Sequence, residues 1–140
     1  MLNRQEHPNT RQVGGKHYVA RYQHWDLCAD TGLGYFEGQI TKYITRWQKK
    51  SGVEDVEKAI HYFEKLVSLY QEGRMRRDWR LATSVTNEFF EKFRETNKLS
   101  SEEVTIFIGI LQYRNISELI AIGPLLHGLL KKAQRYGATP

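Results

Sequence analysis

Gln39, Lys42, Arg46 and Lys49 recur at positions i, i+3, i+7 and i+10, so on an α-helix they form one polar, cationic stripe. Tyr43 stands between that stripe and an apolar one made by Phe36, Ile40, Ile44 and Trp47. Further on, Asp55, Lys58, Tyr62 and Lys65 share one side of a second helical pattern. Antiparallel packing of the two helices would gather Lys42, Arg46, Lys58 and Tyr62 around one groove. Those residue types suit a phosphate-bearing ligand. Arginine offers a planar fork to phosphate oxygens, lysine a mobile point charge, and tyrosine a ring face for a base or a hydroxyl for an oxygen. The competing reading is a solvated face laced by intrahelical ion pairs such as Asp55–Lys58.

Other constellations carry less. Gly14-Gly15-Lys16-His17 looks like the end of a phosphate loop. However, Thr10 stands where that motif needs its first glycine, His17 where it needs Ser or Thr, and no strand pattern precedes it. The glycine pair still lets backbone amides approach an anion. His7, His17, His24, His61 and His127 form no tight metal-ligand spacing, and no metal site is assigned. Glu54, Asp55 and Glu57, or Glu88, Glu91 and Glu95, have the composition of a Mg²⁺ cluster. Complementation of a helix dipole accounts for the first group and solvation for the second. Cys28 has no Cys-His-Asn arrangement around it, and its neighbours Trp25 and Leu27 point to packing.

The elements that must position these residues read as helices throughout. Residues 22–30 fit a short helix ending near Gly32 or Gly34. Residues 35–50 fit a longer one, with Lys49 and Lys50 in its last turn, where cations suit the dipole. Ser51-Gly52-Val53-Glu54 matches the S-x-x-E capping box, and Val56, Ala59, Ile60, Phe63, Leu66, Val67 and Tyr70 continue an apolar stripe. Residues 35–72 therefore read as a helical hairpin with a very short turn. Another helix spans 81–97, with Val85, Phe89, Phe90 and Phe93 inward. Ser100-Ser101-Glu102-Glu103 is a second capping box, opening a helix that runs to about Tyr113. Asn115 or Ser117 starts a last segment that Pro124 divides. The expected class is all-α, with five or six helices. It divides into a flexible arm (1–15), the hairpin domain (16–72), a basic connector (73–80) and a C-terminal region (81–140) of two to four helices packed on the hairpin.

The hairpin also resembles a known family. G-G-K-H-Y at 14–18 and the uninterrupted stretch from Gly38 to Leu66 are similar to small phage-encoded, nucleotide-kinase-like proteins. Their pattern is H-Y near the start, G-N-x-x-K-Y-x-x-R, a K-x-G turn, and D-x-x-K-A-x-x-Y-x-x-x-L. His17, Tyr18, Gly38, Lys42, Tyr43, Arg46, Lys50, Gly52, Asp55, Lys58, Ala59, Tyr62 and Leu66 supply it, and the chain departs at Gln39 and Val56. The match covers about residues 14–70. The resemblance implies a protein of phage nucleotide metabolism that binds (deoxy)nucleotide phosphates. It also admits phosphoryl transfer to a nucleoside monophosphate without a P-loop, with ATP as donor and Mg²⁺ as its ion. On that reading Lys42, Arg46 and Lys58 hold phosphates and are the candidate catalytic residues. His17, Tyr18 and Tyr62 position the acceptor, Asp55 orients Lys58 or reaches a metal, and Tyr43 and Lys50 complete the nucleotide site.

Composition bounds the alternatives. The chain has 140 residues, one cysteine and a formal charge of +5, with 40% hydrophobic and 12% aromatic residues. That is a globular chain with enough apolar mass for a core and no disulfide framework, as expected in a reducing cytoplasm. No 18-residue apolar stretch and no leader-like start occur, so neither a membrane partner nor secretion is expected. Residues 1–50 carry a charge of +4 and residues 51–100 are neutral, so the basic excess lies in the first third. Two other functions fit. One is a non-catalytic protein that binds a nucleotide signal or a host protein complex to counter host defence or metabolism. The other is single-stranded nucleic-acid binding through Arg74, Arg76, Arg77 and Arg80, interleaved by Trp79. A single small hairpin gives a shallow groove, so a homo-oligomer is expected to complete it.

Overall fold

The computed structural model describes residues 22–76 and 79–138, with residues 79–87 and 137–138 described by their backbone alone. Its elements are α1 (His24–Thr31), α2 (Tyr35–Arg46), α3 (Val53–Gln71), α4 (Trp79–Asn97), α5 (Ser101–Gln112), α6 (Ile116–Ile120) and α7 (Gly123–Ala138). No strand occurs among the described residues, and the protein is all-α. No described helix is long and apolar enough to cross a membrane. His17 and Tyr18 lie outside the described residues, as do the middle of the connector and the side chains of Trp79, Arg80 and Val85.

The short α1 ends where expected. Gly32 adopts φ +68°, a conformation only glycine takes without strain, and its N–H caps the Cys28 carbonyl at 2.9 Å. The α2–α3 hairpin also forms, with two corrections at its turn. Helix α2 stops at Arg46, and Lys49 and Lys50 lie in the turn beyond it rather than in its last helical turn. The cause is Trp47. Its ring is buried in the core, and its carbonyl takes the Gly52 N–H at 2.9 Å, which reverses the chain. The second correction concerns the Ser51–Glu54 capping box, which does not form. Gly52 (φ +56°, ψ −122°) is the N-cap, so the carboxylate that reaches back is Asp55, accepting the Ser51 N–H at 3.1 Å. The Ser100–Glu103 box does form in both directions, with bonds of 2.7 and 3.2 Å. Asn115 caps α6, and α7 opens on Gly123 with Pro124 in its first turn, where a missing N–H costs nothing.

Helix α3 is the central rod, flanked by α2 on one side and α7 on another. Helix α7 runs antiparallel to it. Gly123 lies against the Phe63 ring in mid-α3, while Tyr136 meets Trp47 edge-on, at 5.6 Å, beside the start of α3. Helix α5 underlies α2 and α4, with Phe107 touching both Phe90 and Phe93 at 5.5 Å. One continuous core draws on both sides of the connector, from Leu27, Ile40 and Leu66 to Ile110, Leu119 and Leu126. Buried polar groups are tied down within it. Trp47 Nε1 donates to Glu103 Oε2 at 2.7 Å, and Tyr113 donates to Glu37 Oε2 at 2.5 Å. These bonds fix α2 on α5 and hold the hairpin's outer face toward solvent.

Candidate functional site

The outer face of the hairpin centres on Tyr43. Its ring carries three cations: Arg46 Cζ at 5.0 Å, Lys58 Nζ at 5.5 Å and Lys42 Nζ at 5.7 Å from the centroid. All three fall within cation–π range, and they come from both helices of the hairpin. Tyr62 stacks beside Tyr43 almost parallel, at 14° and 6.0 Å. Phe36 and Tyr35 extend the aromatic surface, Tyr35 meeting Phe36 at 5.2 Å and Tyr62 at 6.1 Å. A pocket of about 340 Å³ opens here, lined by Phe36, Tyr43, Lys58, His61, Tyr62 and Lys65. The heptad-like spacing along α2 and α3 produces this directly. Positions 36 and 43 face positions 58, 62 and 65 across the antiparallel seam.

The sequence-marked residues divide into three groups. Lys42, Tyr43, Arg46, Lys58 and Tyr62 come together. Asp55 is adjacent but not open to ligand: it is fully buried and engaged by Arg46 Nε at 3.3 Å and by the Ser51 N–H. It therefore orients Arg46, not Lys58. Lys58 pairs instead with Glu54 at 3.4 Å, one helical turn away, and both are well exposed. The reason is the phase of α3, whose buried stripe of Val56, Ala59 and Ile60 carries Asp55 into the seam and leaves Glu54 on the surface. Lys50 sits in the exposed turn at the end of the seam, outside the pocket lining, and His17 and Tyr18 lie outside the described residues. His61 and Lys65 line the pocket although neither was marked as a binding residue. Lys65 was legible from its i+7 spacing to Lys58. His61 carried no signal beyond its place next to Tyr62.

Electrostatics sharpen the picture behind the site. His24, on α1, packs under α2, where Nε2 is hydrogen-bonded to Thr41 Oγ1 at 2.7 Å, and the Thr41 hydroxyl lies 2.9 Å from the Glu37 carbonyl. Burial, and secondarily the charge of Lys42, lowers its pKa to about 4. His24 is thus neutral at physiological pH and adds no charge to the face. The Cys28 thiol, close to His24 and to Gly38, is pushed up to about 11 by burial, as befits a packing residue. Tyr35 is 63% exposed, and its hydroxyl is held above its ordinary value mainly by a hydrogen bond with Tyr62.

Among the described residues, no group of three or more His, Cys, Asp or Glu side chains is arranged to hold a metal ion. The Glu88, Glu91 and Glu95 side chains are exposed on α4, with Glu91 paired to Arg94 at 3.3 Å. No family model, curated protein or solved structure matches this chain.

Proposed function

We propose that the outer face of the α2–α3 hairpin binds a nucleoside phosphate, as expected for a protein of phage nucleotide metabolism. The observation that carries this reading is the convergence of Lys42, Arg46 and Lys58 on the Tyr43 ring, beside a pocket with an aromatic floor. Aromatic rings accept a base by stacking, and cations at one edge accept its phosphate. Lys42 and Lys58 are the phosphate-holding residues. Arg46, already bound to Asp55, contributes a fixed positive field and a single exposed edge.

Two versions of the function share this site. In the first, ATP gives its γ-phosphoryl group to an oxygen of the bound monophosphate, releasing ADP, with the lysines neutralising the transferring charge. In the second, the nucleotide is held without turnover. The engagement of Asp55 by Arg46 and Ser51 favours the second, because the nearest buried carboxylate is committed to the fold.

Calorimetry with nucleoside 5′-monophosphates tests the shared reading. Each lysine contact is a charge-assisted hydrogen bond, so Lys42→Ala and Lys58→Ala are each expected to weaken binding about tenfold or more at an unchanged melting temperature. Equal affinity in parent and variants would sink the site. ADP production from ATP plus monophosphate separates the versions: sustained turnover supports transfer, and binding without ADP supports retention.

A further inference from the structure

Two lysines line the pocket, Lys58 and Lys65. Lys58 lies over Tyr43 at one end, with Lys42 over the same ring just outside the lining. Lys65 lines the same pocket seven residues further along α3, about 10 Å along the helix axis from Lys58. Tyr62 and Phe36 lie between, their centroids 6.5 Å apart. Neither Lys42 nor Lys65 has a carboxylate within ion-pair distance among the described residues. Lys58 has the exposed i,i+4 partner Glu54, a pair that solvent screens. A ligand with all its phosphate on one side would engage one end and leave Lys65 unused.

We infer that the site takes a nucleotide with phosphate on both sides of its sugar, a 3′,5′-bisphosphate unit, with the base on Tyr43 and Tyr62 and one phosphate at each cationic end. This rests on the nucleoside-phosphate reading above and specifies its ligand. Such a unit occurs as a free nucleoside 3′,5′-bisphosphate and as the internal residue of a short single strand. His61, on the same wall of the pocket, offers a ring nitrogen to the sugar or base between the two phosphates.

The test compares ligands with the same number of phosphates by calorimetry at fixed ionic strength. A nucleoside 3′,5′-bisphosphate is expected to bind about tenfold more tightly than the 5′-diphosphate of the same nucleoside, whose extra charge lies on one side. Lys65→Ala, at an exposed position, should erase that gain while leaving 5′-monophosphate affinity within about twofold. A 5′-phosphorylated dinucleotide forms the third arm. Affinity at or above that of the bisphosphate assigns the site to single strands, and weaker binding assigns it to the free bisphosphate. Two results overturn the inference while leaving the nucleotide reading intact: a 5′-diphosphate that binds as well as the bisphosphate, or Lys65→Ala that weakens every ligand equally. Absence of binding by all of them, the monophosphate included, removes both.

Discussion

Arg46 is a poor probe of ligand binding because the fold depends on it. Its side chain is only 14% exposed, and that of Asp55, its partner at 3.3 Å, is not exposed at all. Asp55 Oδ2 also accepts the Ser51 N–H, while its Oδ1 is buried without a hydrogen bond. Arg46→Ala therefore leaves a buried carboxylate with one backbone donor and no counter-charge. Removal of one partner from a buried ion pair costs about 3–5 kcal/mol. The partial exposure of Arg46 lets water reach the gap, so the lower end, about 3 kcal/mol, is the expected figure. For a chain of this size that corresponds to a fall of roughly 10 °C in Tm.

Urea unfolding followed by far-ultraviolet circular dichroism reads the loss directly. The cycle with Asp55→Ala isolates the pair: the double variant should be destabilised by at least about 1 kcal/mol less than the sum of the singles. Arg46→Lys keeps the charge but loses the fork, and should fall between parent and Arg46→Ala. If Arg46→Ala unfolds within about 0.5 kcal/mol of the parent, the buried pair is not holding the hairpin. Arg46 would then be free to serve a ligand, as its spacing alone suggests.

Two further perturbations probe the scaffold under the site. His24 titrates at about 4 in the folded chain against an ordinary value of 6.5, so the unfolded chain binds the extra proton first. Stability from this group is complete above pH 6.5 and falls as pH drops toward 4, by about 1.4 kcal/mol per pH unit and at most about 3 kcal/mol. His24→Gln, which keeps a hydrogen-bond partner for Thr41, should flatten that part of the stability-against-pH curve; an unchanged slope would mean that other groups produce it. Trp47→Phe removes the indole N–H from the buried Glu103 and should cost about 1–3 kcal/mol by denaturant titration. A loss below about 0.5 kcal/mol would show that the Ser100 N–H alone satisfies that carboxylate.

Periodicity made most of the architecture legible. The apolar stripes in α2 and α3 depend on side chains of one helix at a time, and a linear pattern contains that information. The two S-x-x-E motifs show where this stops. At Ser100 the local signal and the tertiary structure agree, and the box closes. At Ser51 the same letters yield no box, because burial of Trp47 reverses the chain and moves the helix start to Gly52. Moving a helix start by one residue leaves the angular order of the residues that follow unchanged, so the buried apolar stripe sets the phase of α3. That phase places Asp55, beside Val56, in the buried seam against Arg46, and leaves Lys58 to pair with the exposed Glu54 instead of Asp55.

The Arg46–Asp55 pair and the early end of α2 decide how much charge the face offers a ligand. Spacing on α2 counts Lys42, Arg46 and Lys49 as one stripe, which overstates the free positive charge at the Tyr43 end. Arg46 is committed to Asp55, and Lys49 lies in the turn beyond the helix. Spacing on α3 understates it, because the value of Lys65 depends on the aromatic floor that Phe36 contributes from the other helix. The net change moves the centre of positive charge along α3, away from the hairpin turn and over the rings. Charge placed over a stacking surface favours a ligand that carries its phosphates beside its base. Charge gathered at the turn would favour a terminal polyphosphate. On the proposed nucleotide reading, the Arg46–Asp55 pair would favour the first kind of ligand by withdrawing a cation from the turn end.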